Sequence, residues 1–145
     1  MLDVKDSAFY RAPPDSPKSG PNYDTHIASP EVVVDDAHKQ FVMLVHGWFT
    51  DGKRFPEDPR EAARWAQEDG YGQQTQTAIS TDGLHFTAQP GITMRTSYAR
   101  LFHWHDTWYS MARLGVLGRA NDLLSRFEPG PNPSKKALGL DVLGT

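Results

Sequence analysis

The chain contains no cysteine, which excludes a disulfide framework and any thiolate-bound zinc. It has no excess of positive charge. With 15 Lys and Arg against 18 Asp and Glu, the net charge is −3, so no general electrostatic pull draws the chain to nucleic acid or to an anionic membrane, and neither partner is expected. No apolar run approaches the ~20 residues of a membrane span. The opening residues, MLDVKDSAFYRAPPD, carry acids and lack the apolar centre of a signal peptide. The default expectation is therefore cytoplasmic, with export left open to a signal upstream of Met1. No motif points to a cofactor, and none is expected.

What the sequence does contain is a succession of short runs rich in Val, Ile, Phe and Thr. From His26 to Thr87 it reads HIASPEVVVDDAHKQFVMLVHGW, a polar insert, and QQTQTAISTDGLHFT. The punctuation by DDAHK, the insert and STDG is that of consecutive antiparallel strands, expected at Glu31–Asp35, Gln40–His46, Gln74–Ser80 and Leu84–Thr87. The pattern then starts again. Ser97–His105, a tight turn at Asp106, Trp108–Ala112, Val116–Arg119 and a run ending at Arg126-Phe127-Glu128 make a second unit of four strands in the same order.

Repeats of ~40–50 residues with four strands each are the signature of propeller blades. The fold class expected is all-β: two four-stranded antiparallel blades of an incomplete β-propeller, with a short helix in an inserted loop. On this reading residues 1–25 are an arm or the end of a preceding blade, with Phe9-Tyr10 as its outer strand. Residues 26–88 form a blade carrying a helical insert at 49–73, residues 89–130 form a second blade, and residues 131–145 are a connector and the start of a further one. A propeller needs at least ~4 blades to close. Length alone favours a complete small domain, a sandwich or a meander.

Within the first unit, Val32, Val33 and Val34 form a continuous apolar run, as expected for an innermost strand buried on both faces. Pro30 is placed at a strand's first residue, where no ladder hydrogen bond is lost. The insert contains Asp58-Pro59-Arg60-Glu61, a cap followed by proline at the first helical position and an acid two residues later. Ala62, Trp65 and Ala66 continue the helical spacing, and Gly70 ends a helix of about three turns. Inserted loops of this length are disproportionately lids or binding loops. In the hairpin STDGLHF, Asp82-Gly83 supplies the positive φ of the turn and Phe86 returns to the sheet.

Strand direction decides which loops meet. The segment leading into a unit's first strand and the connection between its second and third strands lie at one end. This gathers His26, Ser29, Glu31, Arg95, Tyr98 and Arg100 with His46, Trp48, Gln73, Gln74 and Arg113. The turns at Asp35–Lys39, Thr81–Gly83 and His105–Thr107 lie at the other end. His103 and His105 share a strand face but have no nearby third ligand, so no metal site is expected.

The segments HIASPEVVVDDAHKQFVMLVHG, STDGLHF and SYARLFHWHDTWYSMARLG together resemble glycoside hydrolase-like five-bladed β-propellers, the group around the family 43 and family 32 folds, over about Gly20 to Phe127. The resemblance implies an axial funnel where two carboxyl groups flank a glycosidic bond, one protonated and one ionised. It implies that Glu31, in Ser29-Pro30-Glu31-Val32, stands where relatives carry a carboxylate that tunes the acid, with Glu replacing the commoner Asp. His26, His46, Trp48, Arg100 and Arg113 fit a sugar pocket, the aromatic face stacking on a pyranose and His and Arg donating to hydroxyls. The expected partner is carbohydrate. Three readings remain open: part of a glycoside hydrolase-like propeller that is inactive as this isolated chain, a non-catalytic propeller module for glycan or protein recognition, and a self-contained β scaffold. Two bare blades would also expose strand edges that favour self-association.

Overall fold

The computed structural model describes residues 2, 7–9, 26–49, 58–64 and 72–130. Two four-stranded antiparallel sheets dominate. In the first, β1 (Ala28–Asp35), β2 (Gln40–Phe49), β3 (Gly72–Ser80) and β4 (Thr87–Ala88) lie in sequence order; in the second, β5 (Arg100–Trp104), β6 (Thr107–Met111), β7 (Leu117–Ala120) and β8 (Glu128–Pro129) repeat that order. A single described α-helix, α1 (Pro59–Arg64), lies between β2 and β3. The fold is thus all-β with a short helix, and neither sheet closes on itself.

The first sheet is organised by β2, which is buried from Val42 to Gly47. Because side chains alternate across a strand, its residues feed two different cores. Val42 and Leu44 join Met94, Ala99, Ala120, Leu123 and Phe127 in a cluster shared with the second sheet. Met43 and Val45 join Leu2, Phe9 and Ala78 in a cluster on the opposite face. Gly47 continues that second face, and a Cβ there would meet the carbonyl oxygen of His26 and lie 2.6 Å from the Phe9 ring. The N-terminal segment therefore covers the sheet through a turn at Ser7–Phe9, with Ala8 N donating to Gln76 Oε1 at 2.8 Å. Phe9 is not on the outer strand expected for it, because its ring fills the space left by Gly47. Tyr10 lies outside the described residues.

Burial of the valine run also departs from expectation. Val32 is 50% exposed and Val34 58%, while Val33, on the other side of the strand, packs against the shared cluster. β1 is an edge strand, paired only to β2, and two-sided burial belongs to the strands inside the sheet. Pro30 also sits differently. The strand begins at Ala28, and Pro30 falls within a bulge where the register shifts between Ala28 and Glu31; Ser29 beside it has φ +48°. A bulge leaves its extra residue unpaired, which suits a residue without an N–H.

The fourth strands are shorter and later than the sequence suggests. Asp82 Oδ1 accepts from the backbone of Leu84 and of His85, both at 2.8 Å, and Ser80 Oγ accepts from Gly83 N at 2.9 Å. These bonds hold the chain in a turn through His85, so pairing starts only at Thr87 rather than at Leu84. Gly83 has the expected positive φ, +74°, and Phe86 packs on the second cluster. In the second sheet, β5 starts at Arg100 rather than Ser97, because Tyr98 has φ +57° and Ser97 O is taken by Arg113 N at 2.9 Å. His105 and Asp106, with φ +46° and +56°, form the two-residue turn between β5 and β6, the primed type that matches strand twist. β6 begins at Thr107 and β7 at Leu117, one residue from the expected starts, and β8 begins at Glu128. Asp122 Oδ1 accepts from Leu124 N at 2.7 Å, holding the preceding segment in a turn.

The connection between β2 and β3 is residues 50–71, slightly shorter than the expected insert, since Trp48 and Phe49 still pair with Gln73 and Gly72. Asp58 Oδ1 caps α1 by accepting from Arg60 N at 2.9 Å. Trp65, Ala66 and Gly70 of the expected helix lie outside the described residues, as do residues 10–25 of the arm and the connector at 131–145. Replacement of Leu44, 1% exposed, by Ala is expected to cost about 3–5 kcal/mol in denaturant unfolding. Val34→Ala on the open face of β1 is expected to cost less than about 0.5 kcal/mol.

Candidate functional site

The residues between Ile92 and Ala99 bind the two sheets together. Thr75 N donates to Met94 O at 2.9 Å and Thr93 N to Thr75 O at 2.8 Å, so the linker runs beside the middle of β3. Thr75 Oγ1 donates to Thr96 O at 2.6 Å, and the hydroxyls of Thr77 and Thr93 lie 2.7 Å apart. These bonds satisfy the polar face of β3 inside the inter-sheet layer. They also deliver Ser97 and Tyr98 to the end of the sheets where β2 runs out.

At that end the β bulge, the end of β2, the start of β3 and the 3-10 turn Arg113–Gly115 converge. His46 is 2% exposed. The Tyr98 ring lies 4.3 Å from it, centroid to centroid, at 44°, and the His26 ring meets it edge-on at 6.1 Å. Arg113 Nη1 donates to Gln73 Oε1 at 3.2 Å, and Ser97 Oγ donates to the same oxygen at 3.2 Å. Burial holds the His46 imidazole below its ordinary pKa, and the charges of His26 and Arg113 push in the same direction. The Nδ1 atom of His46 is buried with no hydrogen-bond partner.

Glu31 lies on the same side of the first sheet, opposite Leu44 on β2. Its carboxylate reaches across to the second sheet, where Oε2 lies 3.5 Å from Arg100 Nη1 and Oε1 accepts from Leu101 N at 3.3 Å. Arg100 also donates to its neighbour's carbonyl, Ala99 O, at 3.1 Å. The acid thus ties the first strands of the two sheets together. The ion pair is partly exposed, so its Coulombic gain is modest; its directional bond to a strand N–H fixes how β1 meets β5.

Strand direction alone therefore located much of this cluster. His26, His46 and Arg113 come together, with Glu31 and Arg100 as a second group at the β1–β5 junction. Trp48 is the cross-strand partner of Gln73, and its Cζ3 atom lies 3.4 Å from where a Cβ on Gly72 would be, so the ring covers the start of β3. Gln73 and Tyr98 belong to the cluster but were not singled out as binding residues, and Ser97 was not identified at all. The alternation of β3 separates Gln73, opposite Trp48, from Gln74, which is opposite Gly47 and buried on the other face; that parity was available in the sequence. The left-handed backbone of Tyr98 was not.

The other end is made of turns. Asp35 would have its pKa raised by burial, but hydrogen bonds from Gln40 and His38 more than offset this and hold it low. Asp82 is held well below the usual carboxylate range, first by its hydrogen bond to His85 and then by the backbone amides of His85 and Leu84. Both carboxylates are committed to turn formation. His103 packs on Trp108 at 4.8 Å and His105 on Trp104 at 4.3 Å. Among the described residues no group of three or more metal-binding side chains occurs, and no helix is long and apolar enough to cross a membrane.

Compared with known proteins, the chain matches no family model, and neither the curated proteins nor the solved structures give a match.

The buried, unprotonated His46 carries a pH signature. Its native pKa lies below the unfolded value of about 6.5, so the unfolded chain binds the proton more readily. The stability that His46 contributes is full above about pH 6.5 and is lost as pH falls through the depressed native value. Wild-type melting temperature is expected to fall between pH 7.5 and pH 5, and His46→Gln to flatten that part of the profile.

Proposed function

We propose that this chain supplies two neighbouring blades of a glycoside hydrolase-like propeller and that the end carrying His26, His46, Tyr98, Gln73 and Arg113 binds carbohydrate. The observation that carries the reading is the convergence, at one end of two like sheets, of an aromatic ring, two imidazoles, a guanidinium and an amide. Such a set offers a stacking face for a pyranose and several donors for its hydroxyls. Arg113 is exposed and reaches the site from the second sheet, while the half-buried Gln73 belongs to the first, with His46 beneath, so a ligand there is held by both.

The layering favours blades over a closed sandwich. In a two-sheet sandwich the outer faces are polar. Here the first sheet carries an apolar cluster on each face, and one face of the second sheet exposes Phe102, Trp104 and Met111 beside Arg100 and Arg119, with Trp104 at 61%. Successive apolar faces are what a stack of blades about an axis requires.

Binding is favoured over cleavage by the isolated chain. Glycoside hydrolysis needs two carboxyl groups at a defined separation, and Glu31 is engaged by Arg100 and by the Leu101 amide. It fits a positioning role better than that of acid or nucleophile. Saturation-transfer NMR with a panel of methyl glycosides is expected to show binding of at least one sugar. Arg113→Gln and Tyr98→Ala should each weaken it by roughly tenfold, the first without lowering the melting temperature. No signal from any glycoside would overturn the reading. Purified chain is expected to leave p-nitrophenyl glycosides intact, and robust turnover would refute the division between binding and cleavage.

A further inference from the structure

A second concavity lies between the linker and the second sheet, with none of the residues of the His46 cluster in its lining. Its volume is about 100 Å³, and it is lined by Met94, Arg95 and Thr96 of the linker, by Val116, Leu117 and Gly118 around the start of β7, and by Phe127 and Pro129 at β8. The walls are fixed by backbone bonds: Phe127 N donates to Thr93 O at 3.2 Å and Gly130 N to Leu117 O at 2.7 Å. These bonds tie the linker and the segment before β8 to the ladder that forms the rest of the wall.

One glycine sets how its wall packs. Gly118 pairs with Ser110 across the sheet, and a Cβ at position 118 would lie 2.6 Å from Ser110 Oγ and 3.2 Å from Phe127 Cβ. Glycine lets the Ser110 hydroxyl and Phe127 pack directly against β7. Ser110, 1% exposed, lies in the lining, and its hydroxyl is buried with no hydrogen-bond partner. A buried hydroxyl without a partner is costly.

The charged residues of the lining are Arg95 and Arg126, both exposed, and neither is ion-paired among the described residues. An apolar body of a few carbon atoms fits the volume, since a cavity of roughly 150 Å³ accepts benzene. Guanidinium groups are suited to a planar carboxylate, which they bind through paired N–H donors. We infer that this pocket is a binding site for a small amphipathic carboxylate, with the hydrocarbon end against Met94, Leu117 and Phe127 and the carboxylate at Arg95 and Arg126.

The test is an NMR titration of the full chain with butyrate, 1-butanol and inorganic phosphate, following the backbone amides of Met94, Leu117, Gly118 and Phe127. Butyrate is expected to give saturable shifts in roughly the millimolar range, as a ligand of six heavy atoms allows, and to bind about tenfold tighter than 1-butanol. The double variant Arg95→Gln/Arg126→Gln, which alters exposed side chains only, should erase that preference. Absence of saturable butyrate shifts would overturn the inference. So would equal binding of 1-butanol, which would make the pocket an unselective apolar hole, equal shifts with inorganic phosphate, which would make it a diffuse cationic surface, or unchanged butyrate affinity in the double variant. The glycoside panel reads a different set of residues, so the two sites succeed or fail independently.

Discussion

Burial of β2 on both sides is the constraint from which the remaining structure follows. Six consecutive residues, Val42 to Gly47, are removed from solvent, which is achievable only if each face of the strand has its own cover. The second sheet and the linker cover one face through Met94, Ala99 and Phe127; Leu2 and Phe9 cover the other. The order of layers is set by this alternation. So is the place of His46, which continues the inter-sheet face at the point where the apolar partners run out and Tyr98, His26 and Arg113 take their place.

The two proposed sites follow from interruptions of that layer. At the end of β2, the inter-sheet core gives way to rings and a guanidinium, and the chain departs from regular geometry nearby at Ser29 and Tyr98, both with positive φ. Such backbone costs of order 1–3 kcal/mol where a side chain is present and persists only when the surroundings fix it. Ser97 O, held by Arg113 N, and the bulge before Glu31 are those surroundings. Between the linker and the second sheet, glycine at 118 lets Ser110 and Phe127 close on β7, and the pocket lies beside that contact.

Much of this was legible in the sequence. The two sets of four strands follow from spacing and turn residues, and the Asp-Gly hairpin and the Asp58 cap are local signals that the structure repeats. Strand direction then brought His26, His46 and Arg113 to one end without any knowledge of contacts. What failed did so for physical reasons. Hydrophobicity marks Val32 and Val34 as buried, yet whether a face is covered depends on distant residues; the covering segment, Ser7–Phe9, spends its one large ring on Gly47. The turn at Asp82 outlasts its Asp-Gly signal because the aspartate side chain also takes the amides of Leu84 and His85. The roles of Gln73 and Ser97 rest on a shared hydrogen bond between chain segments 24 residues apart, which spacing cannot reveal.

Hydrogen–deuterium exchange resolved by residue tests the two-sided burial of β2 most directly. If that strand organises the fold, the amides of Val42, Met43, Leu44 and Val45 exchange slowest and only through global unfolding, while those of Thr87 and Glu128 in the short fourth strands exchange through local opening. Exchange at Val42–Val45 as rapid as at Glu128, under conditions where the chain is folded, would contradict the account.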